Sequence, residues 1–337
     1  MLLARLKGAI RRVLLQRLRW SSAYAAVCRL EARLIGRRLR IETCSKCQLK
    51  CPSCATARGE TRSGAVAWGE LSPDDFTRLL AHSGRVREIE ISNWGEIFLN
   101  RQLPQILEQA RRSGVPVTVG NGVNLNTASE AALEALVVHR VRELTISIDG
   151  ASQQSYACYR VNGDLERVLA NVDRINHYKR LHHSAEPALV WQFVVFGHNE
   201  HELETARAMA AARDMAFRPI RNLDAAYSPL RDPRRVADSS GIDFSVSTDK
   251  TLDTLATDFG FCHQLWDAPQ LNWNGDLLGC CFNNTRTFGN ALATPLAELL
   301  AGDDYRYMQD MLTGRAALRD DLPCVKCRML PPWLRAR

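Results

Sequence analysis

Residues 44–54 read CSKCQLKCPSC and place four cysteines within eleven positions. Thiols this close together are typical of a disulfide framework, a zinc site or an iron–sulfur cluster. The chain holds eleven cysteines in 337 residues, and an odd count fits complete disulfide pairing poorly. The stretch therefore indicates a zinc site or an iron–sulfur cluster, and the choice depends on the rest of the chain.

The composition is that of a globular protein, with 46% hydrophobic and 24% charged residues. No stretch approaches the ~20 apolar residues that a membrane-spanning helix needs. A signal peptide is not expected, because basic residues such as Arg5, Lys7 and Arg11 interrupt the apolar runs near the start. The sequence thus predicts a cytoplasmic protein, where thiols stay reduced and clustered cysteines usually bind metal or act in catalysis.

Positive charge is concentrated at the start of the chain, since residues 1–40 contain eleven Lys or Arg and a single acid, Glu31. Apolar residues recur between the basic ones at helical spacing, at Leu3, Leu6, Ile10, Val13 and Leu14. We predict a basic amphipathic helix that packs on the main domain, with contact to a membrane surface or an acidic partner as the alternative. Nucleic-acid binding is not expected, because few aromatic residues lie between the basic ones.

From residue 39 onward, short β-rich runs alternate with helical periods. The predicted strands are 39–42, 86–92, 115–119, 141–148, 189–196 and 216–221, and the predicted helices are 73–82, 102–113, 128–139, 164–180 and 199–213. Ser72 and Pro73 are suited to the N-cap and first position of the first helix. This alternation predicts an α/β fold with a parallel sheet, a partial (β/α)6 TIM-like barrel with chemistry at the C-terminal strand ends.

Four segments are predicted from these patterns. They are a basic helical segment (1–39), the partial barrel (40–222), a linker rich in Asp, Ser, Thr and Pro (223–260), and a small cysteine-bearing C-terminal domain (261–337).

Cys47, Cys51 and Cys54 form C-x3-C-x2-C directly after the first predicted strand. Three thiolates can hold three irons of a [4Fe–4S] cluster and leave the fourth iron open to chelate a small molecule. Cys44 adds a fourth thiol in an order that would also suit zinc. On these residues alone, both kinds of site stay open.

Four stretches, in order along the chain, resemble the motifs of the radical S-adenosylmethionine (SAM) superfamily. They are IETCSKCQLKCPSC (41–54), SNWGEIFLN (92–100), VGNGVNL (119–125) and LTISIDGASQQSYACYRVNGDLERVLANV (144–172). The resemblance implies a [4Fe–4S] cluster on Cys47, Cys51 and Cys54. The third stretch departs from the usual Thr-Asn-Gly by having Gly120 in place of Thr.

The same resemblance implies a set of SAM-binding residues, namely Gly95, Glu96, Asn121, Ser147, Asp149 and Arg160. Glu96 is expected to accept a hydrogen bond from the SAM ammonium, and Arg160 to pair with the SAM carboxylate. Ser147 and Asp149 are expected to accept from the ribose hydroxyls.

The C-terminal cysteines have a spacing of their own, C-x12-G-x4-C followed by a distant C-x2-C. This pattern resembles the auxiliary-cluster region called SPASM or, in shortened form, twitch. It implies a second [4Fe–4S] cluster with four protein ligands, Cys262, Cys280, Cys324 and Cys327. Asn274 and Gly275 predict a hairpin turn that returns Cys280 towards Cys262, although Cys281 could take its place. A zinc ribbon is the alternative for this unit.

The resemblance covers residues 40–330 and implies reductive cleavage of SAM to methionine and a 5′-deoxyadenosyl radical, which abstracts a hydrogen atom from the substrate. The electron is expected from an external ferredoxin- or flavodoxin-like donor. We expect oxidation, because the four auxiliary ligands are complete and no spare thiol has a placement that the sequence can verify. We expect a sugar-like or other small biosynthetic substrate, because the first 40 residues are too short for a peptide-recognition domain.

Three alternatives to this function remain. One is epimerisation with Cys281 as the hydrogen-atom donor, and another is modification of a ribosomal peptide. The third lies outside enzymes, a scaffold protein stabilised by zinc. No role is predicted for Cys28, Cys44 or Cys158.

Overall fold

The computed structural model describes residues 22–224, 226–242 and 264–327, together with positions 330 and 334. The strands are β1 (Arg37–Ile41), β2 (Val86–Glu90), β3 (Val117–Val123), β4 (Glu143–Ser147), β5 (Ala188–Val195), β6 (Met215–Arg221) and β7 (Gln270–Leu271). The first helices are α1 (Ser22–Leu34), α2 (Pro73–His82), α3 (Leu103–Arg112), α4 (Glu130–Val138), α5 (Gln153–Tyr159) and α6 (Leu165–Leu181). The remaining helices are α7 (Leu203–Ala211), α8 (Pro233–Ser240), α9 (Gln264–Asp267), α10 (Leu296–Leu299) and α11 (Asp303–Leu312).

Several predictions concern residues that lie partly or wholly outside the described ranges. The helical pattern of residues 3–14 and the ligand Cys262 lie outside the described residues. The segment predicted as a linker, 223–260, is described only up to residue 242, and it contains the helix α8. Asp232 caps that helix by accepting from the amide of Arg235, and Gly241 ends it in the left-handed conformation.

Within the described residues, the seven strands are parallel and lie side by side in the order β6-β5-β4-β3-β2-β1-β7. The predicted α/β fold with a parallel sheet is confirmed, and the sheet is open rather than closed. Six strands follow the predicted order, whereas β7 was not predicted. It comes from the C-terminal region and pairs with β1 through Gln270 and Leu271, and two residues are too few to produce a periodic pattern.

The helices begin where side chains satisfy their first amides. Ser72 caps α2 by accepting from the amide of Asp75, and Pro73 stands at the first position, so the predicted 73–82 helix is confirmed. Ser129 caps α4 in the same way through the amide of Ala132.

The core lies between the sheet and the helices, where buried strand residues such as Ile89, Leu144 and Trp191 pack on apolar helix faces. The Trp191 indole donates to the carbonyl of Ile148, so this large side chain is buried without an unsatisfied N–H. Among the described helices, none is both long and apolar enough to cross a bilayer. Because the strands are parallel, the loops that follow them all leave the same edge of the sheet. The residues predicted to bind SAM lie after the strands or, for Asn121 and Ser147, in the C-terminal parts of β3 and β4.

Candidate functional site

The loop after β1 carries the three predicted cluster cysteines and is tied to neighbouring loops by its backbone. The amide of Lys50 donates to the carbonyl of Val161 at 3.0 Å, and the carbonyl of Lys46 accepts from the amide of Glu96 at 2.8 Å. The cysteine loop therefore contacts both the loop that follows β2 and the segment that follows α5.

Gly95, predicted to bind SAM, also allows this close approach. A Cβ atom at Gly95 would lie 2.3 Å from the carbonyl oxygen of Cys44 and 2.5 Å from that of Lys46. No side chain fits against backbone at such distances, so the glycine allows the β2 loop to pack on the cysteine loop.

Glu42, at the end of β1, is a site residue that the sequence did not reveal. Its side chain is fully buried and accepts from the amides of Trp94 at 2.8 Å and Gly95 at 3.4 Å. Burial raises the pKa of this carboxyl from 4.5 to about 8, against the opposing effect of the two amides. Glu42 positions the loop that carries Gly95, and an acid directly after a buried strand was its only signal in the sequence.

The raised pKa gives a testable pH dependence. Glu42 keeps its proton to higher pH in the folded chain than in the unfolded chain, so its stabilising contribution is lost as the pH rises from about 4.5 to about 8. The unfolding free energy should therefore fall across that window in the wild type. In the Glu42→Gln variant, which has no carboxyl to titrate, we expect this fall to be smaller by about 1.4 kcal/mol or more. Urea unfolding of the reconstituted proteins at several pH values measures the difference, and parallel curves would disprove it.

Glu96 lies beside the cysteine loop with its carboxylate almost fully buried. One oxygen accepts from the amide of Phe98 at 3.3 Å, which caps the short 3-10 helix Ile97–Leu99, and the other accepts from the amide of Asn124 at 2.7 Å. Burial raises its pKa to about 7. Each oxygen keeps a lone pair for a further donor.

Asn124 connects Glu96 to the first cysteine. Its side-chain amide lies 3.9 Å from Cys47 Sγ, and its side-chain oxygen accepts from Gln48 at 2.8 Å. Asn126, two residues on, donates to the hydroxyl of Tyr156 at 3.1 Å. Both asparagines are buried, and neither was predicted as a site residue. They lie two and four residues after the last glycine of Gly-Asn-Gly (120–122).

Asn121 is exposed, and its side chain connects β3 to the residues that follow β2 by hydrogen bonds. Its side-chain amide donates to the carbonyl of Ser92 at 2.6 Å and to the side-chain oxygen of Asn93 at 3.1 Å. Gly120, which replaces the usual Thr, donates its amide to Glu90 at 2.7 Å, and a Cβ there would lie 3.0 Å from the same oxygen.

Asp149 and Arg160 form an ion pair in which Nε donates to the carboxylate at 2.5 Å. Asp149 is fully buried and also accepts from the amide of Val194. Burial lowers the pKa of Arg160, but attraction to Asp149 and Cys51 outweighs it and leaves that pKa well above its ordinary value. Arg160 Nη1 lies 3.8 Å from Cys51 Sγ. The residues predicted to bind opposite ends of SAM therefore contact each other.

Ser147 is buried at the end of β4 beside the β3 loop. A Cβ at Gly122 would lie 2.1 Å from the Ser147 hydroxyl oxygen, and Gly122 has a φ of +96°. The register between β3 and β4 shifts here, so glycine permits a bulge that brings the loop against Ser147.

Cys44 differs from the three predicted ligands in its surroundings. It is fully buried, and its thiol donates to the carbonyl of Lys46 at 3.8 Å. Burial raises its pKa to about 12. Among residues 22–224, 226–242 and 264–327, no three His, Cys, Asp or Glu side chains converge as ligands of a single metal ion would.

The C-terminal cysteines Cys280, Cys324 and Cys327 line one cavity of about 590 Å³. Ser53, beside Cys54, and Trp94 of the β2 loop line the same cavity. Gly275, with a φ of +85°, makes the predicted hairpin turn, and Leu271 and Leu277 form a bridge across it.

Cys281 is not among the residues that line this cavity. Its amide donates to the side chain of Gln264, and its carbonyl accepts from Asn93 at 3.2 Å. Cys281 therefore lies beside the strand-end residues Asn93 and Asn121.

Comparison with solved structures supports the fold. The crystal structure of Streptococcus suis SuiB bound to the precursor peptide SuiA aligns with 91% of this chain and 74% of SuiB, at a TM-score of 0.62 and 14% identity. SuiB bound to S-adenosylmethionine aligns with 87% of this chain and 71% of SuiB, at a TM-score of 0.59 and 14% identity. A search of curated proteins finds no match.

A family model identifies the C-terminal region: residues 262–328 match SPASM, an iron–sulfur cluster-binding domain. The chain therefore carries a SPASM region next to a domain with the fold of SuiB. The SPASM domain begins at the predicted ligand Cys262 and includes the hairpin and the three cysteines of the 590 Å³ cavity. Of the predicted cofactors, the auxiliary [4Fe–4S] cluster agrees with this match, and SAM is bound by SuiB, which has a similar fold.

Proposed function

We propose that this protein is an enzyme that reductively cleaves SAM and removes a hydrogen atom from a substrate carbon. One observation carries the proposal: cysteines of the β1 loop contact residues of the other strand-end motifs. Cys47 lies beside Asn124, and Cys51 lies beside Arg160. This arrangement suits a cluster that must share one site with SAM.

In this proposal Cys47, Cys51 and Cys54 hold the SAM-binding [4Fe–4S] cluster. When bound, that cluster supplies the electron that cleaves SAM to methionine and the 5′-deoxyadenosyl radical. Burial raises the pKa of the Cys47 thiol to about 12, so the thiol is neutral before the cluster binds. As a cluster ligand Cys47 would lose this proton, since the thiolate is the form that binds iron.

Glu96 would bind the SAM ammonium through its remaining lone pairs. The Glu96→Gln variant keeps an acceptor for the amide of Asn124 but removes the charge. A hydrogen bond to a charged group contributes about 1.5–3 kcal/mol, so SAM affinity should fall roughly tenfold to a hundredfold while the iron content is unchanged. Equilibrium binding of SAM to the anaerobic protein measures this effect, with exposed Glu134→Gln as the matched control. Unchanged affinity would place Glu96 outside the SAM site.

Asp149 would act on SAM through Arg160. With Nε of Arg160 engaged by Asp149, the terminal nitrogens are held in one orientation. A planar guanidinium fixed in this way can present two parallel N–H groups to the carboxylate of SAM. Asp149 is then a positioning residue, and Ser147 is left to accept from a ribose hydroxyl.

The substrate in this proposal is a sugar-like or other small molecule that is oxidised. Abstraction of a hydrogen atom leaves a substrate radical, which becomes a carbonyl product by losing one electron and one proton. The auxiliary cluster would accept that electron, with Cys262, Cys280, Cys324 and Cys327 as its ligands. Three of these cysteines line a cavity that also reaches Ser53, next to Cys54, which supports electron transfer across this region.

Epimerisation is a second candidate because of where Cys281 lies. It is partly exposed, it is not part of the auxiliary cavity lining, and its carbonyl contacts Asn93 at the end of β2. A thiol in this position can return a hydrogen atom to a substrate radical. Modification of a peptide is a separate alternative, since SuiB, which has a similar fold, binds a precursor peptide.

Turnover in deuterated water separates the two candidates. Oxidation predicts a product with one unit of unsaturation more than the substrate, no deuterium on the reacting carbon, and unchanged activity in Cys281→Ala. Mass spectrometry of substrates that support 5′-deoxyadenosine formation measures this, with exposed Cys158→Ala as the control. A redox-neutral, deuterated product that is lost in Cys281→Ala would overturn oxidation and make Cys281 the donor.

A further inference from the structure

A second cavity, of about 690 Å³, lies at the opposite end of the sheet from the cysteine loop. Six arginines line it, namely Arg29, Arg33, Arg37, Arg85, Arg306 and Arg315. Arg37 is the first residue of β1 and Arg85 directly precedes β2, so the cavity lies at the N-terminal strand ends. Its volume is within the range of small-ligand sites.

The positive charge of this cavity is almost unneutralised. Within the part of the chain that the structure describes, only Arg315 of the six forms an ion pair, with Asp310 at 2.6 Å. Arg37 donates to the carbonyl of Trp266, and Arg85 donates to the carbonyl of Leu34. Five guanidinium groups around one cavity attract anions strongly.

Exposed apolar side chains lie beside these arginines, on α1 and directly after it. Leu30 is 56% exposed, Leu34 is 62% exposed and Ile35 is 50% exposed. Leu30 and Leu34 are four residues apart and therefore lie on one helix face, next in sequence to Arg29 and Arg33. Large apolar groups beside unpaired arginines are typical of a surface that meets both headgroups and acyl chains.

We propose that this face binds the surface of a membrane that contains anionic lipids. Lipid phosphates would enter the arginine cavity, while Leu30, Leu34 and Ile35 would insert at the level of the acyl-chain boundary. The sequence that precedes α1 adds charge of the same sign, since residues 1–21 contain six Lys or Arg and no acid. A soluble phosphate compound would explain the arginines but not the exposed leucines, so the lipid headgroup is the source that fits both features.

Binding in this orientation leaves the candidate active site open. The cysteine loop follows the C-terminal end of β1, whereas Arg37 is at the N-terminal end of the same strand. The membrane would therefore contact the face opposite the site, and a substrate or an electron donor would still reach it.

Flotation of the reconstituted protein with vesicles tests the proposal. We expect binding to vesicles of phosphatidylcholine with phosphatidylglycerol, none to phosphatidylcholine alone, and a loss of binding at high salt. In the variant Arg29→Ala/Arg33→Ala/Arg306→Ala the partition coefficient should fall about a hundredfold, on about 1 kcal/mol for each basic residue. Leu30→Ser/Leu34→Ser should also reduce binding, but without removing its salt dependence.

A matched variant removes three positive charges elsewhere, at the ion-paired Arg167, Arg174 and Arg207. Arg167→Ala/Arg174→Ala/Arg207→Ala should keep most of the wild-type partition. An equal loss in both triple variants would overturn the proposal, because it would show an effect of net charge alone. Equal binding to neutral vesicles, or binding of inorganic pyrophosphate without any binding to vesicles, would overturn it as well. Iron content and thermal unfolding confirm that each variant is folded.

Discussion

The variant Cys47→Ala/Cys51→Ala/Cys54→Ala should lose SAM cleavage completely and keep about half of its iron. Two [4Fe–4S] clusters correspond to about eight irons and eight sulfides per chain, and the variant removes the ligands of only one. Cys280, Cys324 and Cys327 line a cavity whose lining includes none of the three replaced cysteines, so the auxiliary cluster should still assemble. Iron and acid-labile sulfide analysis after anaerobic reconstitution measures the loss.

The exposed Cys158→Ala is the matched control and should keep both clusters. A second control, Cys44→Ala, tests whether Cys44 is a fourth protein ligand of the cluster on Cys47, Cys51 and Cys54. Because the Cys44 thiol donates to the carbonyl of Lys46, its removal should cost stability but no iron. Unchanged iron in the triple variant would show that these cysteines do not hold a cluster.

The second large effect is expected at the ion pair of Asp149 and Arg160. Asp149→Ala leaves a largely buried guanidinium without its carboxylate and the amide of Val194 without its acceptor. Removing one partner of a buried pair costs about 3–5 kcal/mol in the free energy of unfolding. Urea unfolding of the reconstituted variant measures this loss.

Two further variants test whether this loss of stability comes from an unpaired buried charge. Arg160→Met in the Asp149→Ala background removes the unpaired charge, so the double variant should be at least as stable as Asp149→Ala. Glu108→Ala breaks the exposed pair with Arg112 and should cost less than about 1 kcal/mol. Equal losses at Asp149 and Glu108 would show that the Asp149 pair is not buried in solution.

The alternation of strands and helices was predictable because it follows local patterns. Period-two and period-3.6 apolar runs specify which segments bury a face, and caps such as Ser72 mark where a helix begins. The predicted strand 115–119 was too short, since β3 runs from Val117 to Val123 through two glycines. Glycine usually ends a strand, but here it permits the bulge against Ser147.

The contacts of the site were less predictable because they join residues that are distant in sequence. Glu42 reaches Trp94, and Asn124 reaches Cys47, through pairs that no local pattern records. The pairing of Asp149 with Arg160 was missed for the same reason, although both residues were predicted to be in the site. Spacing identified the residue types, and only the fold showed which of them meet.

The central claim is most directly tested by reducing the reconstituted wild-type protein with dithionite in the presence of SAM. We predict methionine and 5′-deoxyadenosine in equal amounts, formed by a protein with about eight irons and eight acid-labile sulfides per chain. Zinc sites contain no acid-labile sulfide, so the two kinds of metal centre cannot be confused in this measurement. A protein that holds zinc without sulfide and leaves SAM intact would contradict the account.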